Sequence, residues 1–341
     1  MNAEANNRGP SLLIGLLSGI AILLLVLLVS NPFSSEPPNS APVWWVSLTA
    51  PQYPESAFPD GIRIQFHVDG VFNGCQKVES EETYEEESLN CKHEMDAINH
   101  YVGMYPIAAG APVERLFAPF VFTLLGLMIV VFALPGRKFR VAVLAIGSIG
   151  IAIWMSAAVY SEGGVNLLTE SYVYDMSSTM DLDPVDYESW TGLEAMEESY
   201  TEALGRYFRN PEVIKQRTAL MTTATHAVYG FLLAAMAVLI IGVWKTRFFY
   251  WLLIAVPILL PVFFIIDYAG WLWWFGHNLN AMGAFTVKPF MPTVFGQGKV
   301  AQFFTHSYPD WGFGLMVLQS FLLAVAALLR RKQTKEAGAA I

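Results

Sequence analysis

Six stretches of this chain are long and apolar enough to dominate whatever it folds into. They are Ser11–Ser30, about Phe117–Leu134, about Val141–Tyr160, about Leu220–Val243, Phe248–Gly270 and Trp311–Leu329. A helix needs about 20 mostly apolar residues to cross a hydrocarbon core. Only 14% of the 341 residues are charged, against roughly 25% in a soluble domain, so the runs read as membrane spans rather than as one large core. The second and third are separated only by PGRKFR, Pro135–Arg140, a tight loop between antiparallel helices. The first is too long for a signal-peptide core and no A-x-A-like site follows it, so it reads as an uncleaved anchor.

Lys and Arg in the short loops set the orientation. Arg8; Arg137, Lys138 and Arg140; Lys245 and Arg247; and Arg330, Arg331, Lys332 and Lys335 all fall on one side, opposed only by Glu4 and Glu336. That side is cytoplasmic, and both termini lie on it. The net charge of -9 is therefore carried by the other face, and it argues against nucleic acid as a partner, which needs clustered cations. The expected fold is an all-α polytopic membrane protein with six transmembrane helices and a small α+β extracytoplasmic portion. Residues 1–10 form a cytoplasmic N-terminus, 11–30 an anchor, 117–160 and 220–270 two transmembrane hairpins, 311–329 a last span and 330–341 a basic tail. Segments 31–116, 161–219 and 271–310 lie outside.

The first outside segment begins with a Pro/Ser linker, Asn31–Pro42. Ile62, Ile64, Phe66 and Val68 then alternate with Arg63, Gln65 and His67, the pattern of a half-buried strand. Asp69-Gly70 turns it into a hairpin. Cys75 and Cys91 flank the acidic stretch Glu79–Glu87. Outside the cytoplasm such a pair most simply forms a disulfide; a metal-binding thiolate pair or free thiols are the alternatives. The second outside segment reads as helical. Asp183-Pro184 and Asn210-Pro211 are helix starts, and Trp190, Leu193, Met196, Tyr200, Leu204 and Tyr207 recur at helical spacing, as a packing stripe would. The third, 271–310, is aromatic and Gly/Pro-punctuated, and reads as a long loop folded back on the membrane surface or the bundle.

No P-loop, C-x-x-C-H, H-E-x-x-H or G-x-S-x-G occurs, so no enzyme class is indicated. The spans hold two ionisable side chains, His226 and Asp267. Such residues are costly in lipid and are paired or functional. Both fall near the outer surface and could be partners, in a structural hydrogen bond or in a ligand or proton site. The stretch CKHEMDAINHYVGM, Cys91–Met104, read as a helix, sets His93, Asp96, His100 and Met104 on one face. Imidazole suits copper or zinc and thioether suits Cu(I); ordinary packing is the alternative. His277 and Asn278, with His306 and Asp310, form a third group whose simplest role is to order a loop by hydrogen bonds.

Three stretches, WWVSLTAPQYPE (Trp44–Glu55), INHYVGM (Ile98–Met104) and the Asp267–Asp310 region with its GHNLN, resemble a family of bacterial membrane proteins. In that family APQYPE, LNHYIGM and DYGHNLDP segments follow a first membrane anchor. This chain has Asn280 without a following Pro where the family has Asp-Pro. The family is associated with gene neighbourhoods of nitrous oxide reductase and its copper-maturation proteins. The resemblance implies a bacterial inner-membrane accessory protein, with copper as cofactor and a periplasmic metalloenzyme or another accessory factor as partner. It directs attention to His100, Met104 and His277, joined by Asp267 and His226, as the metal site. Three other functions fit the same residues: a proton-coupled transporter using Asp267 and His226, a quinone- or haem-binding electron-transfer subunit, and a structural anchor.

Overall fold

The computed structural model describes residues 2–30, 40–49, 62–67, 72–76, 96, 98–107, 110–206, 210–284, 286–300 and 303–339. The chain is mostly helical, with one small sheet. In order, its elements are α1 (Asn2–Val29), β1 (Pro42–Thr49), β2 (Ile62–His67), β3 (Phe72–Gln76), α2 (Pro112–Ala133), α3 (Arg137–Tyr160), α4 (Glu170–Met180), α5 (Pro184–Tyr187), α6 (Gly192–Gly205), α7 (Pro211–Lys245), α8 (Arg247–Ile258), α9 (Leu260–His277), β4 (Gly296–Val300), β5 (Phe303–Pro309) and α10 (Trp311–Ala339).

Five helices, α1 from Ser11, α2, α3, α7 and α10, are each long and apolar enough to cross a membrane. The fifth apolar window is broken: α8 and α9 meet at 61°. Pro257 lies inside α8 and Pro261 in the first turn of α9. A proline has no N–H to give the helix, and its ring clashes with the carbonyl four residues back. Leu259 bridges the break, its N–H turned to the carbonyls of Ala255 and Val256. The two prolines were visible in the sequence, but hydropathy does not register them.

One end of the bundle is basic. Helix α1 lies along α10, and Gln333 donates to Ser11 at 3.2 Å, so the two chain ends meet there. Arg330 donates to the carbonyls of Phe132 and Ala133 at 3.3 and 3.0 Å. Arg140 donates to Leu134 at 2.7 Å, and its guanidinium lies 4.3 Å over the Tyr250 ring. These arginines satisfy carbonyls that the end of α2 leaves without helical partners.

The other end carries the sheet and helices α4–α6. Strand order is β3-β2-β1-β5-β4, antiparallel throughout. The expected hairpin is present as β2–β3. The expectation of a loop without regular structure at 271–310 is corrected, because its second half supplies β4 and β5, and β5 pairs with β1 from Trp44–Pro309 to Thr49–Phe304. The expected helix from Asp183 is also two pieces. Asp183 caps the short α5, and Thr191 with Glu194 closes a second capping box that starts α6. Asn210 caps α7 as expected, accepting from Glu212 and Val213. The second face of the sheet, expected to be solvated, is covered at its β2 side, while Phe304 of β5 is 41% exposed. His67 is 6% exposed and donates from Nδ1 to the Ser40 carbonyl at 2.8 Å, while Gln65 donates to Asp310 at 2.9 Å.

Helix α4 is tied to α2 by a buried ion pair, Arg115–Asp175, with side chains 9% and 4% exposed. The Arg115 guanidinium also lies 5.8 Å over the Tyr172 ring. Burial pushes the Tyr172 phenol up to about 12, and that of Tyr200 likewise up to about 12. Removing one partner of such a pair strands a buried charge. Asp175→Ala is expected to destabilise the protein by about 3–5 kcal/mol, measured by unfolding in detergent, and Arg115→Met with Asp175→Leu should recover most of that loss. The raised phenols stay protonated in the fold while an unfolded tyrosine ionises near 10. Stability should therefore hold below about pH 10 and fall as pH rises toward 12, with phenolate absorbance appearing together with unfolding.

Candidate functional site

The three stretches that carry the family resemblance meet beneath the sheet. The first contact is between INHYVGM and GHNLN. The carbonyl of Gly103 accepts from Asn280 twice, from its backbone N–H at 2.8 Å and from its side-chain Nδ2 at 2.7 Å. Gly103 has φ +81, and a Cβ there would stand 2.8 Å from the Asn280 carbonyl oxygen. Only glycine takes both the left-handed backbone and this approach without strain. Gly276 serves the same purpose on the other side. Phe290 donates its N–H to the Gly276 carbonyl at 3.1 Å, and a Cβ on Gly276 would lie 2.0 Å from the Phe290 oxygen.

The second contact joins the sheet to the bent span. Trp44 on β1 is surrounded by the rings of Phe264, Tyr268, Phe295 and Phe313, at 6.1, 5.6, 6.2 and 5.5 Å. Its indole N–H donates to Ser307 Oγ at 2.8 Å, and Ser307 donates in turn to the Val294 carbonyl at 2.8 Å. The Tyr268 hydroxyl is 3.3 Å from the same oxygen. One serine on β5 thus binds β1, α9 and the loop before β4. A third contact lies to the side, where the Arg217 guanidinium of α7 sits against the paired rings of Tyr105 and Trp274, 4.9 and 5.1 Å from their centres.

The candidate ligands fall into separate places. The helix carrying His100 runs only to Tyr101, and Met104 lies beyond a turn in which Val102 and Met104 bond back to the Asn99 carbonyl at 3.2 and 2.9 Å. The shared helical face expected for His100 and Met104 is therefore corrected, and His93 lies outside the described residues. Met104 is 3% exposed, in the core under the sheet. His277, at the end of α9, is exposed; its Nδ1 donates to the Trp273 carbonyl at 2.8 Å and its ring stacks on Trp273 at 4.5 Å. The Gly103–Asn280 contact brings the loops of His100 and His277 together, each histidine three residues before the bonded position.

His226 is bonded to Tyr160 and not to Asp267, which corrects their expected pairing. His226 Nδ1 is 2.8 Å from the Tyr160 hydroxyl, with the two rings stacked at 5.7 Å. Asp267 lies on α9 four residues before Trp271, which donates to the Glu114 carboxylate of α2 at 3.1 Å. Among the described residues no three of His, Cys, Asp and Glu converge as a metal site. Asp310 caps α10 and Asn278 donates to the Trp274 carbonyl at 2.9 Å, the loop-ordering roles expected of them. His306 lies on β5 opposite Ser47. Cys75 is on β3 and Cys91 lies outside the described residues, so their pairing does too.

Sequence reasoning missed Ser307, Asn99 and Arg217. A serine, an asparagine and an arginine carry no signal until the strand or ring that each one faces is known. Comparison with known family models, curated proteins and solved structures finds no match for this chain.

Gly103→Ala tests the junction. It is expected to destabilise the protein by about 1–3 kcal/mol through backbone strain. Hydrogen exchange should rise in the His277–Asn280 loop while the α1–α10 contact keeps its protection; unchanged exchange in that loop would show that the junction is not held through Gly103.

Proposed function

We propose that this chain is a six-span accessory protein of the bacterial inner membrane, with both termini cytoplasmic and the sheet and α4–α6 on the periplasmic side. Its role on this reading is to hold copper as Cu(I) beside the Gly103–Asn280 junction and to supply it to a periplasmic metalloenzyme. The observation that carries the reading is that junction, which unites the loops of His100, Met104 and His277. A histidine whose Nδ1–H is held by a carbonyl presents its Nε2 lone pair outward, and the bond to Trp273 does this for His277. Two imidazoles and a thioether are neutral and soft. That suits Cu(I) better than a hard cation, which prefers oxygen ligands. Bound copper would supply a labile metal for transfer. The protein's own residues orient the imidazole and shield the thioether, and the ring of Trp273 covers one face of His277.

The runner-up is a proton- or ion-coupled carrier. The broken span supports it, because it carries Asp267, and carboxylates at membrane depth commonly mark ion pathways. An Asp267→Asn variant that abolishes uptake while copper retention is unchanged would favour it.

The full chain, purified in detergent, should retain Cu(I) against a chromophoric chelator at neutral pH. His100→Ala with His277→Ala should weaken retention at least about tenfold, and acidification should release the metal as imidazole protonates. No retained copper in the wild type, together with an intact maturation pathway in the double variant, would refute the reading.

A further inference from the structure

The inner face of the sheet does not close completely on the helices. Val46 and Ile64 of the strands, Val102 and Met104 of the turn, and Leu272 of α9 surround a cavity of about 60 Å³. Asn99 also lines it. Asn99 is 6% exposed, and its side-chain Nδ2 has no hydrogen-bond partner among the described residues. A buried amide donor without an acceptor is rare in a folded protein and expensive to keep. Its backbone carbonyl is used twice to shape the turn, so the residue is well placed, and only its amide nitrogen is idle.

Two features define what would fill this space. A cavity of about 150 Å³ takes a benzene ring, so this one admits a molecule of about two to four non-hydrogen atoms. The remaining lining is mostly apolar, and Tyr268, Thr293 and Thr305 are its other polar-bearing members. Nothing charged lines the cavity, so a charged ligand would lose its hydration without return. We infer that the cavity under the sheet binds a small, uncharged, largely apolar molecule whose single acceptor atom takes the Asn99 amide proton. The cavity shares Met104 with the copper reading, while His100 and His277 do not line it, so loss of copper retention in the His100→Ala, His277→Ala variant and loss of probe binding here are separate outcomes.

The test uses the full chain in lipid nanodiscs, with nitrogen-labelled asparagine and two probes: xenon, which fills apolar space, and acetone, a small ketone with one acceptor. Both should shift the Asn99 side-chain signal saturably in the wild type. Asn99→Leu should keep xenon binding, followed by xenon NMR, and weaken acetone binding about fivefold, the worth of one hydrogen bond. Val102→Phe, which fills the space, should abolish both. If Asn99→Leu fails to fold, Asn99→Ala carries the same comparison. The inference is overturned if neither probe shifts the signal, if acetone binds the Asn99 variant as well as the wild type, or if Val102→Phe binds both probes unchanged.

Discussion

The bend between Pro257 and Pro261 governs the upper half of this molecule. Turned through 61°, α9 meets β1, β2 and β5 through Phe264 and Tyr268, beside Phe313 of α10. Its residues Phe264, Tyr268, Leu272 and Phe275 then face the sheet and the turn at Gly103. Backbone bonds lost at a proline must be recovered locally in an apolar setting, and the tightened turn at Leu259 recovers them. The sheet, the aromatic cluster around Trp44 and the apolar cavity all follow from that change of direction.

A bent helix under a sheet also creates an interface where polar groups are dry. The protein resolves most of them by sharing. Ser307 serves Trp44, Tyr268 and Val294, and the Gly103 carbonyl serves Asn280 twice. Such networks are strong when every member is satisfied and costly when one is not. The amide of Asn99 is the member left over at this interface. Arg115 and Asp175 solve the same problem at the foot of α4 with a charge pair, and Arg217 solves it with two aromatic faces.

Much of this was legible from residues alone. The windows, the caps at Asp183 and Asn210, and the alternation that makes β2 depend on neighbours within a turn or two of helix or strand. The partner of β1 was not legible. β5 lies far downstream, and its FFTHSYP pattern does not differ from that of an aromatic loop until β1 is placed beside it. The site was half legible. His100, Met104 and His277 fall at the junction, while His226 and Asp267 were drawn together by membrane depth alone, and His226 finds Tyr160 instead. Depth is one coordinate; it does not say which helices are neighbours.

Hydropathy and loop charge, both local properties of the chain, are enough to determine a mostly helical chain with up to six apolar spans and basic clusters in its short loops. Tertiary structure alone decided that three distant segments close over one another, which glycine carbonyl Asn280 reaches, and that an asparagine amide faces an apolar cavity. Those outcomes depend on the direction α9 takes after its break. A bend angle is set by everything that packs against it, and no window of sequence contains that information.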